Sequence, residues 1–160
     1  MTVQGTTSSD QVPEPARLPL GDTALAREPF FVMARASAIG SSDANRALAG
    51  LGLKVREYSA LVLACEEQAP TQRQLSQDLA LDPSQIVAIV DSLQARGAVE
   101  RRPDPRDRRS KIIEATAHGR ELCAQARALV DTATDESLSA LNATDRRRLY
   151  ELLAKVAFGD

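Results

Sequence analysis

The hydrophobic positions of this chain change their period twice, and the two changes divide it. Apolar residues recur at helical spacing from about Ala24 to Ala95. They then alternate briefly between Ala98 and Ala115, and return to helical spacing from Thr116 to the end. The first stretch predicts four helices. One covers roughly Ala24 to Leu48, with Phe30, Phe31, Met33, Ala34 and Ile39 on its apolar side; Gly40-Ser41-Ser42 is expected to loosen its middle and Gly50-Leu51-Gly52 to end it. A second covers Lys54 to Gln68, with Tyr58, Leu61, Val62 and Cys65 at helical spacing, closed by Ala69-Pro70. A third, short helix opens at Thr71, with Gln74 completing a capping box and Leu75 and Leu79 pointing inward.

The fourth helix has the plainest punctuation. Asp82 can cap it, Pro83 takes the first helical position, Gln85 completes a capping box, and Gly97 stops it. Ile86, Ile89, Val90 and Leu93 give it one buried face. Ala98 and Val99 then open a strand that Pro103-Asp104-Pro105 breaks, and Ser110 to Ala115 returns as its partner. Thr116 caps a long helix with the stripe Leu122, Ala126, Leu129, Val130 and Ala133. A last helix starts near Asn142 and carries Leu149, Leu152, Leu153 and Val156 on one face. Two short helices joined by a tight turn, followed by a hairpin, make a winged helix-turn-helix. The expected fold is mainly α with a small β-hairpin wing, flanked by N- and C-terminal helices. The two helices beyond the hairpin carry more apolar stripe than a small core needs, and a second copy of the chain is the natural place to bury it.

Composition narrows the function classes. With 160 residues, 43% hydrophobic and 26% charged, the chain is ordinary globular material long enough for a real core. Residues 1–21, rich in Thr, Ser, Pro and Gln, read as a flexible arm, and 22–160 as a single domain. Two cysteines are too few for a disulfide framework, and neither a signal peptide nor a transmembrane-length apolar run is legible, so the expectation is a reducing cytoplasm and no membrane partner. Two Tyr, three Phe and no Trp disfavour single-strand binding by base stacking. The charge is informative where it concentrates. Arg96 to Lys111 holds seven basic and three acidic residues, a balance of +4 in a chain of net −2. A positive loop on an acidic protein points to phosphate.

Other chemistries find no support. Gly50 and Gly52 lack the third glycine of a dinucleotide loop, since Val55 stands there, and no strand precedes them. His118 is the only histidine; it and Cys123 diverge around their helix, so no metal site forms, and a solvated place in the first turn suits it better. No nucleophile elbow, P-loop or carboxylate motif is present, so no catalytic constellation and no cofactor are expected. Cys65 sits on an apolar face and reads as core. Cys123, with Arg120 and Arg127 one turn away on either side, is the better redox candidate if its thiol is exposed.

The run LDPSQIVAIVDSLQARGAVERRPDPRDRRS, ending in Thr116-Ala117-His118-Gly119-Arg120, resembles the MarR family of bacterial winged-helix regulators. The resemblance is close over roughly Tyr58 to Arg120 and extends to the flanking helices in arrangement. It implies a homodimer joined by helices at about 22–49 and 117–158, with a DNA-binding unit at about 54–116 on pseudo-palindromic duplex DNA. It further implies repression relieved by a small phenolic or lipophilic ligand or by cysteine oxidation. Carried onto this chain, the DNA-facing residues are Thr71, Gln72, Ser84, Gln85, Val87, Ala88, Ser92, Arg106 and Arg108, with Arg108 in the minor groove and Arg109 bridged to Asp91. Gln85 can pair with an adenine edge or merely close its capping box. Phe30, Phe31, Met33, Tyr58 and Leu61 are candidates to line a ligand pocket, or else plain core. Val87 and Ala88 stand where family members often carry Ser and Arg, which leaves apolar contacts suited to a thymine methyl. The first helix lacks the cysteine of the hydroperoxide-sensing branch. Two other readings remain open: a winged-helix module for protein–protein contact, and a redox-sensing regulator using Cys123 or Cys65.

Overall fold

The computed structural model describes residues 18–107 and 109–159. It divides into two compact units, Met1–Ala36 and Ser37–Asp160. In the first, two 3-10 turns at Leu20–Asp22 and Ala24–Arg27 precede the start of α1 (Pro29–Leu48). The helix expected from Ala24 therefore begins five residues later. Pro29 is the reason: it disfavours the helical conformation at Glu28, which is extended at φ −82 and ψ 114, and then opens a new helix itself. Phe30 is 80% exposed, Val32 and Met33 are exposed, and Phe31 is half-buried.

The second unit holds the core. α1 runs unbroken through Gly40-Ser41-Ser42, contrary to the expected loosening, and ends in a 3-10 turn at Ala49–Leu51 with Gly52 at φ +64. α2 (Val55–Ala64) stops short of the predicted Gln68. Beyond it the chain must turn towards the wing: the Pro70 carbonyl accepts the Ile113 N–H at 2.8 Å, and Thr71 bridges to Ile112. A continued helix could not reach that strand.

α3 (Gln72–Asp78) has the capping box expected of it. The Gln74 N–H donates to Thr71 Oγ1 at 3.3 Å and the Thr71 N–H donates to Gln74 Oε1 at 2.8 Å. The turn that follows passes through Ala80 at φ +49, the left-handed region. α4 (Pro83–Ala95) starts after Asp82 as predicted, but its capping box does not form. The Gln85 N–H, the donor the Asp82 carboxylate would need, goes instead to the Asp82 carbonyl at 3.0 Å. α4 ends in a Schellman motif: Gly97, at φ +67, donates to Gln94 O and Ala98 to Leu93 O, both at 2.9 Å.

β1 (Val99–Pro103) and β2 (Lys111–Ala115) pair antiparallel, with Val99 opposite Ala115, Arg101 opposite Ile113 and Pro103 opposite Lys111. α5 (Ala117–Ser137) opens where Thr116 Oγ1 accepts the Gly119 N–H at 3.0 Å. Gly119 packs directly on the Ala98 carbonyl, where a Cβ would lie 1.9 Å from that oxygen. α6 (Ala143–Phe158) is capped by Asn142. Leu48, Leu61, Leu75, Ile86, Val90, Leu93, Val99 and Ile113 are fully buried and knit α2, α3, α4 and the hairpin together. Against that, no residue of α6 is buried, and its Tyr150, Leu152, Leu153, Val156 and Phe158 face solvent. No helix among the described residues is long and apolar enough to cross a membrane.

Candidate nucleic-acid interface

α4 is divided along its length. Ile86, Val90 and Leu93 are wholly buried, whereas Ser84, Gln85, Val87 and Ala88 are exposed on the opposite face of its first two turns. With no capping box to hold it, the Gln85 side chain has no hydrogen-bond partner among the described residues. One of the two readings open to it thus has no structural counterpart. Ser92, grouped with these residues in the sequence reading, is turned inward: half-buried, it donates from Oγ to Glu57 Oε1 at 2.6 Å. Its hydroxyl is committed to α2. Thr71 is occupied in capping α3, and Gln72 is half-buried with its Oε1 accepting from Arg101 Nε at 3.2 Å.

The wing is fastened to α4 by an arginine other than the expected one. Asp91 pairs with Arg101, Nη2 to Oδ1 at 2.5 Å, in place of the anticipated Arg109. Arg101 also donates to Gln94 Oε1 at 2.5 Å, so one guanidinium holds α3 and two turns of α4. The hairpin register decides this: Arg101 sits opposite buried Ile113 and is drawn over the helix, while exposed Arg109 lies in the wing turn, its N–H donating to Asp107 Oδ1 at 3.0 Å.

That turn is built on carboxylates. Asp104 is the one buried charged residue among those described, and its Oδ1 accepts the Arg106 N–H at 2.8 Å and Nε at 3.3 Å. The Arg106 backbone bond, reinforced by its side chain, holds the Asp104 carboxyl below the usual carboxylate range. Asp107 Oδ2 accepts from Ser110 Oγ at 3.0 Å. Asp104 and Asp107 thus shape the turn, in which Arg106 and Arg109 are exposed. Arg106 is exposed beyond its contact with Asp104, and Arg108 lies outside the described residues.

An open cleft of about 610 Å³ borders the same helix. Its walls are Ser41 and Asn45 of α1, Lys54 to Glu57 at the start of α2, and Gln85, Ala88 and Ile89 of α4. Asn45 Oδ1 accepts the Val55 N–H at 2.8 Å and Glu57 Oε2 the Lys54 N–H at 2.9 Å, so the floor is fixed and the side chains of Lys54 and Arg56 stay at the rim. Of the pocket candidates, Phe30, Phe31 and Met33 belong to the first unit. In the second, Leu61 is wholly buried in the core and Tyr58 half-buried, its phenol pushed up by burial. Cys65 is half-exposed and Cys123 buried, the reverse of what a redox role for Cys123 requires.

A helix with one buried and one bare face, a turn, and an arginine-tipped hairpin lashed to that helix are the parts of a duplex reader. Comparison with known proteins agrees. The sequence model of the MarR family matches residues 51–110. A transcriptional regulator of that family from Rhodococcus sp. RHA1 superposes with a TM-score of 0.81 at 39% identity, covering 86% of this chain and 98% of that one. The chain belongs to the MarR family. CouR from Rhodococcus jostii RHA1, solved with p-coumaroyl-CoA, is 40% identical with a TM-score of 0.78, covering 86% of this chain and 97% of CouR. A transcriptional repressor CouR bound to a 23-mer DNA duplex is 29% identical, also with a TM-score of 0.78, covering 89% of this chain and 99% of that one. This MarR-family chain is a DNA-binding transcriptional regulator of the repressor kind, and its family is one of regulators.

Proposed function

We propose that the chain acts in the cytoplasm as a homodimeric repressor with no catalytic role. Residues 22–160 work as one regulator domain behind an arm at 1–21. Each protomer lays α4 in a major groove of a pseudo-palindromic operator, so that Ser84 and the N-terminal amides of α4 meet phosphate, Gln85 reads a base edge, and Val87 and Ala88 touch thymine methyls. Thr71 and Gln72 approach the backbone, and Arg106 and Arg108 reach the adjacent minor groove. The observation that carries this reading is the bare Ser84–Ala88 face on a helix otherwise sunk in the core. The unburied apolar face of α6 supports pairing of two chains.

The releasing ligand is an aromatic acid or its thioester. CouR is solved with p-coumaroyl-CoA, and the cleft beside α4 offers apolar Val55, Ala88 and Ile89 for a ring and Lys54 and Arg56 for an anionic group. Because Gln85 and Ala88 belong to both cleft and reading face, a ligand there contests the groove directly. The test is binding of the purified protein to a duplex carrying its own upstream intergenic region, against random duplex, over a salt series. We expect specific binding at least 10³-fold tighter than random and a steep salt slope, relieved by p-coumaroyl-CoA. Equal weak binding to both duplexes would overturn the repressor reading; specific binding untouched by aromatic acids and thioesters would overturn only the ligand.

A further inference from the structure

The two oxygens of the Glu57 carboxylate are tied to different elements. Oε2 accepts the Lys54 N–H at 2.9 Å and closes the first turn of α2, while Oε1 accepts the Ser92 hydroxyl of α4 at 2.6 Å. Glu57 also lines the open cleft of about 610 Å³, on whose wall Ile89 stands one helical turn before Ser92. One half-buried side chain is therefore reached both from the cleft and from the recognition helix. The Ser92 bond lies beside the fastening of the wing. Its neighbour Asp91 takes the Arg101 guanidinium, so a single turn of α4 carries the tie to α2 and the tie to the hairpin.

A carboxylate accepts hydrogen bonds and donates none, and it repels a second anion. The Glu57 end of the cleft therefore suits a donor, and the rim, with Lys54 and Arg56, suits an anionic group. On the acyl part of p-coumaroyl-CoA, with which CouR is solved, the donor is the ring hydroxyl, since a phenol keeps its proton up to about pH 10. A ligand of this kind enters hydroxyl first, with its charged end left at the rim.

Resting on the reading of this cleft as the effector site, we propose that Glu57 is its specificity-determining residue. Oε1 takes the hydroxyl of a hydroxylated aromatic ligand in exchange for that of Ser92, and α4 loses its tie to α2. The exchange gives such a ligand different affinities for the protein with the Ser92 bond made and with it broken, which is the condition for shifting one state towards the other. The same ring without a hydroxyl fills the space beside Val55, Ala88 and Ile89 and still crowds the groove, but it leaves the bond between Glu57 and Ser92 standing. Specificity for the ligand and release of the recognition helix thus meet in one carboxylate oxygen.

The test uses p-coumaroyl-CoA and cinnamoyl-CoA, which differ by that hydroxyl alone, titrated by calorimetry into the full-length protein and then added at saturation to its operator complex. We expect p-coumaroyl-CoA to weaken operator binding about tenfold more than cinnamoyl-CoA does. Ser92→Ala frees Oε1 from its competitor and leaves every residue of the cleft wall in place. The variant should bind p-coumaroyl-CoA about tenfold more tightly than the unmutated protein does, bind cinnamoyl-CoA as before, and respond alike to both on the operator. Glu57→Ala should lose the preference between the two thioesters. Equal effects of both on the unmutated protein, or Ser92→Ala tightening both alike, would overturn the role of Glu57 and leave the cleft as the effector site. Binding of neither would overturn the effector reading and this one with it. Calorimetry on Ser92→Ala decides the matter even if Glu57→Ala misfolds.

Discussion

Two residues isolate effects that larger changes would mix. Ala80 turns the chain between α3 and α4 in the left-handed region, where a Cβ costs about 1 kcal/mol and glycine nothing. Ala80→Gly is therefore expected to raise stability by up to about 1 kcal/mol, the strain relieved being partly offset by a more flexible unfolded chain; urea unfolding measures it. The Gln85 side chain makes no hydrogen bond among the described residues, so Gln85→Ala should leave the urea midpoint alone and cost roughly 1–3 kcal/mol of discrimination at one base-pair position of each half-site. A uniform loss across all operator positions would mean that Gln85 supports the fold or a phosphate and reads no base. The contrast between Asp82–Gln85 and Thr71–Gln74 also marks where sequence stops being sufficient. Both have the spacing of a capping box, and only the second forms, because at α4 the main-chain carbonyl of Asp82 takes the Gln85 N–H first. Spacing records which groups can meet, while competition between main-chain and side-chain acceptors decides which do.

At the scale of elements, the wing and the recognition helix act as one piece because of Arg101. Arg101→Ala removes contacts to Gln72, Gln94 and Asp91 together, with an expected loss of about 2 kcal/mol in stability and a larger proportional loss in DNA affinity than in fold content. Circular dichroism beside an anisotropy titration separates the two. The wing turn adds a pH signature. Its Asp104 carboxyl is held below the ordinary aspartate value, so its stabilisation is complete at neutral pH and is lost as pH falls below about 4 through the depressed value. Asp104→Asn should flatten that acid limb when wing order is followed by NMR. Helix order, the hairpin and the long terminal helices were legible because periodicity and caps are local. Pro29 was legible too, through the rule on residues before proline, although the apolar pattern of α1 masks it. Asp104 carried a signal in Pro103-Asp104-Pro105-Arg106, an acid two residues before the N–H it accepts. Arg101 carried none. Its partners lie on two helices, and only the strand register distinguishes it from six other basic residues in the same stretch. Glu57, which ties Ser92 to the start of α2, was likewise hidden by a separation of thirty-five positions along the chain.

For the whole molecule, the decisive quantity is apolar surface left without a cover. Val156 and Phe158 are 70% and 78% exposed on α6, amid a run of leucines, and an isolated chain would carry that face into water. Val156→Glu should shift sedimentation towards monomer and, because the two half-sites then bind independently, weaken operator binding by orders of magnitude while each protomer keeps its helix content. Native dimers with full affinity would place the pairing surface elsewhere.

The contact between Gly119 and the Ala98 carbonyl also bears on how the protein can be cut and rejoined. Ala98 accepts the Thr116 N–H as well, so the exit of α4, the root of the hairpin and the first turn of α5 meet at a single joint with no spare volume. A chimera that exchanges only the recognition helix, or only the wing, must reproduce that joint on both sides of the splice. Transplanting 71–119 as one cassette keeps it intact. Target preference in this chain is accordingly portable as a block, and not helix by helix.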